Sequence, residues 1–357
     1  MRLTIAAVLL LTACSAETSG AAAPETAGPA PQRASAPSAM PSERRAFRDW
    51  IAICDNGNAC FAFAAGDNHS GWVRVAMQPG PEARPEVAAG YWPSEDGATD
   101  AFALTVDGTA FPLTLTDSGG TAGSVAADRA LAAVRAMADG RSGDIGPDGA
   151  LSLSGAAAAL LWIDERQGRV GTVTALRRPG SKPASSVPPA PPLPEVRPAP
   201  AVSQAGFGES DQTLPQTLED LPTVMDCRAE TSHSEWVQKE VMSARLGADT
   251  ELWGVPCIMG AYNIGHEWFI TGPGGRDPRP ARLTSTSGEP ESLTINGGYA
   301  ATARTLVAFA KGRGVGDCGT ASTWTWTGRE FVLSHELEMT ECWGVPVDFW
   351  PTTWRTR

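Results

Sequence analysis

From about Pro179 to Gln212 the chain runs through Pro179-Gly180-Ser181-Lys182-Pro183 and Val187-Pro188-Pro189-Ala190-Pro191-Pro192-Leu193-Pro194. Proline fixes φ and lacks an amide donor, so this tract can be neither helix interior nor central strand. An extended linker of polyproline character is expected over 179–214, in preference to a proline-rich ligand for a partner domain. It leaves two stretches of ordinary domain size, 44–178 and 215–357. Ahead of them, residues 14–43 are rich in Ala, Pro, Ser, Thr and Gly and lack apolar periodicity, the composition of a disordered tether.

The first residues explain what a tether is for. Met1-Arg2 is followed by an apolar run from Leu3 to Leu11, interrupted by Thr4, and then by Leu11-Thr12-Ala13-Cys14. A charged start, a short apolar run and small residues before a cut site make a secretory signal, here residues 1–13. The run is too short for a membrane span, which needs about 20 apolar residues. Leu11 to Cys14 resembles the lipobox of bacterial lipoproteins, in which the Cys sulfur receives a diacylglycerol and the new amine is acylated. Acyl chains at about 0.8 kcal/mol per buried CH₂ make such anchoring effectively permanent. Ser15 after the Cys leans toward the outer membrane. The expected location is therefore the cell envelope, lipid-anchored through Cys14 and facing the periplasm, with the membrane as one partner.

Seven cysteines fit that compartment. Setting Cys14 aside leaves Cys54, Cys60, Cys227, Cys257, Cys318 and Cys342, an even number suited to three disulfides in an oxidising space. Six cysteines allow 15 connectivities. The domain layout favours Cys54–Cys60 and leaves the connectivity of the other four open, with Cys227–Cys257 and Cys318–Cys342 the leading pairing. The net charge is −12, with 28 Lys+Arg against 40 Asp+Glu, which argues against a nucleic-acid partner.

The local patterns point to β-rich α+β structure: two antiparallel sheet or sandwich domains with a few short helices. Phe47 to Cys54 and Cys60 to Phe63 flank Asp55-Asn56-Gly57-Asn58-Ala59, strong turn chemistry, and read as a stapled hairpin. Further strands are expected near Gly71–Met77, Ala101–Val106, Leu113–Leu115 and Gly171–Leu176. Helices are expected over 126–138 and over 156–167, the latter with Ser154 as N-cap and Gly168 as its stop. In the second stretch strands are expected at Glu251–Cys257 and His266–Thr271. Thr323 to Trp326 and Glu330 to Met339 form a hairpin whose second arm alternates. Phe331, Leu333, His335, Leu337 and Met339 then share one face, and Val332, Ser334, Glu336 and Glu338 the other. Trp253-Gly254-Val255-Pro256 recurs as Trp343-Gly344-Val345-Pro346, too short a match to establish a repeat.

Few of the chain's motifs carry chemistry. Gly314-Val315-Gly316-Asp317-Cys318-Gly319 matches G-x-G-x-x-G, but strand chemistry follows it where a dinucleotide site needs a helix. A tight turn presenting Cys318 for a disulfide is expected instead. His335-Glu336 begins like H-E-x-x-H, yet Met339 stands where the second ligand belongs, and the chain has only four histidines. Neither a metal nor a cofactor is expected. His335 reads as a packed core histidine, and Glu336 and Glu338 as a solvated strand face. The tryptophans of the second stretch read as sheet packing. A sharper alternative makes Trp324 and Trp326 an exposed ligand face for a glycan or an envelope protein.

Phe47-Arg48-Asp49-Trp50 with Cys54 and Cys60, and Lys311 to Gly319 with Trp324-Thr325-Trp326, resemble the exported bacterial family catalogued as domain of unknown function 1176. Cys257 with Gly260-Ala261-Tyr262-Asn263, and Trp350-Pro351, fit it too. The resemblance covers about 46–357, and Gly-Arg-Gly-x-Gly-Asp-Cys-Gly is its most specific part. The first stretch is also similar to the invasion-associated locus B proteins in its Asp-Trp start, paired Cys and late Ser-x-Ser-Gly. That likeness implies a secreted β-sandwich without known catalytic residues. The leading expectation is a non-enzymatic envelope module that binds or supports. The alternative is a periplasmic hydrolase using carboxylate and His groups at Asp317, His335 or Glu336, and a thiol protein using Cys318 is a third.

Overall fold

The computed structural model describes residues 40–66, 71–91, 103–116, 122–145 and 149–357. The lipobox and Cys14, nearly all of the tether, and residues 101–102 of one expected strand lie outside them. The described residues form one compact unit.

Three antiparallel sheets carry the fold. The first has ten strands: Glu43–Phe47 (β1), Trp50–Cys54 (β2), Cys60–Ala65 (β3), Gly71–Met77 (β4), Pro85–Tyr91 (β5), Ala103–Val106 (β6), Thr109–Leu115 (β7), Ala122–Val125 (β8), Gly143–Ile145 (β9) and Gly149–Leu151 (β10). They are ordered β1-β2-β3-β4-β5-β8-β7-β6-β9-β10. The second joins Met242–Gly247 (β11), Thr250–Met259 (β12), Ile264–Gly272 (β13) and Arg276–Pro280 (β14), with Leu293–Ile295 (β15) beside β13. The third runs in chain order through Gly298–Ala300 (β16), Thr305–Lys311 (β17), Gly319–Trp326 (β18), Phe331–Met339 (β19) and Thr352–Arg355 (β20).

Period-2 alternation explains the layering. Trp50, Ala52 and Cys54 of β2 point into an apolar cluster closed by the helices Ala127–Asp139 (α1) and Ala156–Arg166 (α2), through Val134, Met137, Leu160 and Ile163. Ile51 and Ile53 point the other way, into a cluster with Phe61, Phe63 and Trp72 that is completed by Met339, Val345 and Trp350. That cluster draws on both sides of the Pro-rich tract and buries β2 on both faces. A third cluster joins Leu252, Trp268 and Ile270 of the second sheet to Leu306, Trp324, Trp326, Phe331 and Leu333 of the third. The third sheet thus packs against the other two.

The proline tract is hydrogen-bonded along the sheets. Val196 N–H donates to the Arg357 carbonyl at 3.1 Å and Arg357 N–H to the Pro194 carbonyl at 2.9 Å. Ala199 N–H reaches the Trp326 carbonyl at 2.8 Å. Extended residues flanking the prolines still carry amides, and these find edge-strand partners.

The three disulfides form as expected: Cys54–Cys60, Cys227–Cys257 and Cys318–Cys342. Cys227 sits on a helix the sequence patterns did not suggest, Pro222–Glu230, which follows Gln216–Glu219 and precedes Glu235–Gln238 (α4, α3 and α5). Pro222 at its first turn was the available signal.

Two expectations are corrected. Ser154 does not cap α2: the N-cap is Gly155, at φ 109°, where an added Cβ would lie 1.7 Å from the Phe47 carbonyl oxygen. Gly171–Leu176 is not a strand but a series of turns. Asp164 reaches out of α2 to accept the amides of Leu176 at 2.7 Å, Arg177 at 2.8 Å and Arg178 at 3.0 Å, and winds the chain around a buried carboxylate.

Candidate functional site

The β18–β19 hairpin sets the geometry of the candidate site. Its turn closes through Thr327, whose amide and hydroxyl both donate to the Glu330 carbonyl, with Gly328 at φ 98°. Trp326 faces Phe331 and Trp324 faces Leu333, but Thr323 faces His335. Ser334 is therefore the extra residue of a β-bulge, and its hydroxyl donates to the Thr323 carbonyl at 3.0 Å. One extra residue exchanges the faces of everything beyond it.

The expected alternation consequently fails midway. Phe331 and Leu333 lie in the cluster with Trp324 and Trp326, while Leu337 and Met339 pack against the first sheet. His335 is exposed rather than a core histidine, and Glu336 is fully buried rather than solvated. Glu336 comes to the face that carries Ser322 and Trp324.

A loop covers that carboxylate. Leu283 and Glu291 exchange backbone hydrogen bonds at 2.8 and 3.0 Å, closing the base of residues 284–290. Leu283 is buried and anchors it. The Trp324 indole donates to the Thr284 carbonyl at 2.6 Å. Glu336 accepts the Thr286 amide at 3.1 Å, the Thr286 hydroxyl, the Ser322 hydroxyl at 3.3 Å and the Thr353 hydroxyl at 2.9 Å. Further along, burial and the neighbouring Glu336 push the Glu338 carboxyl up, against Arg44 and a hydrogen bond from Ser287. The loop is a strap held down by strand carboxylates and an indole.

Cavities surround the strap. One of about 280 Å³ lies between it and the sheet, lined by Ser285, Glu289, Glu291, Thr320, Ser322 and Trp324 among others. A second, of about 330 Å³, opens beside Thr284–Thr286, Trp354 and the incoming Pro41 and Ser42. A third, of about 260 Å³, lies between Thr286, Ser287 and Glu338 of one side and Arg44, Ile51 and Ile53 of the first sheet. The first is near the low end of small-ligand sites, about 300–1,000 Å³, and combines hydroxyls and carboxylates with an apolar wall.

Trp324 and Trp326 are buried, at 6% and 1% exposure. They form no exposed stacking face, although Trp324 remains a wall of the cavity. The three groups named for hydrolysis do not converge. Asp317 is held by Arg313 at 2.6 and 2.5 Å and by the Gly344 amide at 2.6 Å. Burial alone would raise its carboxyl, but these donors hold it below the usual range. It lies in the turn ahead of β18, before the Gly319–Met339 pair, whereas Glu336 pairs with Ser322 further along the same two strands. His335 and Glu336 are strand neighbours on opposite faces. Cys318 is in a disulfide, so it offers no thiolate. The G-x-G-x-x-G run is a tight turn, with Gly316 at φ 69° and the strand β18 after it.

Sequence reasoning missed the strap itself. Thr284-Ser285-Thr286-Ser287-Gly288-Glu289-Pro290 carries plain loop chemistry, but nothing in it announces a carboxylate on β19, fifty residues after Thr286. The two Trp-Gly-Val-Pro runs also differ: Trp253 is in β12, whereas Trp343 lies in the irregular segment after β19.

Over residues 44–357 the chain matches the family model described as protein of unknown function (DUF1176), and it belongs to that family. Over 345 residues it is 31% identical to a protein of Escherichia coli (strain K12) described as "Uncharacterized protein YpfG", covering 88% of this chain and 93% of that one. Neither match extends to the invasion-associated locus B proteins. No solved structure matches.

Proposed function

We propose that this chain is a lipid-anchored envelope protein that works as a non-enzymatic binding module, and that the cavity between the strap and the third sheet takes a glycan. The observation that carries this reading is the state of Glu336. Its oxygens are occupied by four donors from Thr286, Ser322 and Thr353, which makes it a clamp for the strap rather than a free acid or base. What it stabilises is a cavity whose walls alternate hydroxyls and carboxylates with Trp324, Leu293 and Ile295. Sugars present the same alternation, with hydroxyl rims and apolar faces.

The location rests on Leu11-Thr12-Ala13-Cys14 and on the six remaining cysteines, all paired. Among the described residues no helix is long and apolar enough to cross a membrane. Two measurements test the proposal. Cys14→Ser should move the protein from the membrane to the soluble fraction, and retention would contradict the anchor. Isothermal titration with soluble peptidoglycan glycan fragments should give saturable binding, weakened by Glu291→Gln together with Ser285→Ala. Absence of binding would contradict the glycan assignment.

A further inference from the structure

The chain is strongly acidic overall, yet three arginines gather at one end of the space between the second and third sheets. Arg279 is on β14, Arg282 follows that strand, and Arg329 sits in the β18–β19 turn. With Glu330 they line a cavity of about 200 Å³ floored by Ile270 and Phe331, both buried. Among the described residues none of the three guanidinium groups takes part in an ion pair. Among the described residues these groups donate one hydrogen bond, from Arg279 to the Arg329 carbonyl at 3.4 Å, which leaves nearly all their donors free.

We infer that this cavity is a phosphate-binding site, distinct from the cavity under the strap. Like charges brought to one cavity repel, and an anion between them relieves that repulsion. Each guanidinium offers a planar fork of N–H donors that matches oxygen pairs on a tetrahedral oxyanion. Three forks from two sheets suit the several oxygens of a phosphate better than the single edge of a carboxylate. The apolar floor of Ile270 and Phe331 excludes water beneath the anion and accommodates the carbon of a phosphate ester. Glu330, on the rim, opposes anion entry and sets an upper limit on affinity. The phosphate can belong to a soluble compound or to a lipid headgroup, since the recognition chemistry is the same.

The test uses the full chain with Cys14→Ser, so that no acyl chain contributes. Titration with inorganic phosphate and with pyrophosphate should show one saturable site whose affinity falls with added salt. Arg282→Gln or Arg329→Gln should weaken it about tenfold, and Glu330→Gln should strengthen it. All three residues are exposed, and an unchanged melting temperature verifies that the variants fold. Sedimentation with phosphatidylglycerol vesicles, against phosphatidylcholine vesicles, separates the sources. Phosphatidylglycerol retention lost in the Arg282→Gln/Arg329→Gln double variant assigns the headgroup, and phosphate binding without retention assigns a soluble phosphate. Failure to bind either, or binding that the double variant leaves unchanged, overturns the inference.

Discussion

The Glu336 carboxylate, fully buried in the middle of β19, accepts both the amide and the hydroxyl of Thr286, fifty residues earlier in the chain. A loop with little apolar anchorage is thereby fixed over a sheet. Replacing Glu336 by Leu takes the acceptor from the buried Ser322 and Thr353 hydroxyls as well as from the Thr286 amide, and should cost about 1–3 kcal/mol, read by urea denaturation. Glu336→Gln keeps an acceptor for that amide, and the hydroxyls can turn to suit the new NH₂, so its cost should be under about 1 kcal/mol. Equal losses in the two variants would show that charge rather than hydrogen bonding holds the strap.

A second long-range clamp joins the two ends of the described chain. Arg355 Nε lies 2.7 Å from Asp55 Oδ2, and the Asn56 side chain exchanges hydrogen bonds with the Arg355 backbone at 2.8 and 2.9 Å. Asp55 is fully buried and also accepts the amides of Gly57 and Ala59. Arg355→Met strands that charge and should destabilise by about 3 kcal/mol. Adding Asp55→Asn should recover a large part of the loss. A double variant no more stable than the single one would place the cost elsewhere.

His266 gives the fold an acid-sensitive point. It is 3% exposed, with Nε2 3.0 Å from the Glu240 carbonyl, and burial pushes it down to about 4. The unfolded chain takes up this proton near pH 6.5 and the folded one does not. Stability from this group is therefore complete above pH 6.5 and declines as pH falls toward 4, by up to about 3 kcal/mol. Denaturation midpoints measured across that range should flatten in His266→Gln. An unaltered slope would assign the acid sensitivity to other groups.

Much of the architecture was legible because the signals were local. Turn chemistry between Cys54 and Cys60, the helical spacing of Ala127 to Ala138 and the strand periods of β4 and β13 each lie within one segment. Cysteine parity gave the number of disulfides, while the pairing within 215–357 came only with the structure. The candidate site was not legible, and the reason is the bulge at Ser334. Alternation read without it places Glu336 in solvent and His335 in the core, and the true arrangement is the reverse. Nothing about a single serine in an alternating run marks it as the unpaired residue. That depends on pairing with Thr323 and Trp324 on the neighbouring strand. Asp55–Arg355 is hidden for the same reason, since its partners are brought together only by the packing of the first and third sheets.

The central claim, a glycan in the cavity beside Trp324, is tested most directly by the Trp324 indole N–H resonance in a ¹H–¹⁵N spectrum, assigned by its loss in Trp324→Phe. Because this N–H bonds to the Thr284 carbonyl of the strap, it reports on both the cavity wall and its cover. Titration with soluble peptidoglycan glycan strands should shift this resonance saturably while the indole signal of Trp50, buried among the helices and the first sheet, stays in place. A Trp324 resonance that does not move at saturating glycan would contradict the account.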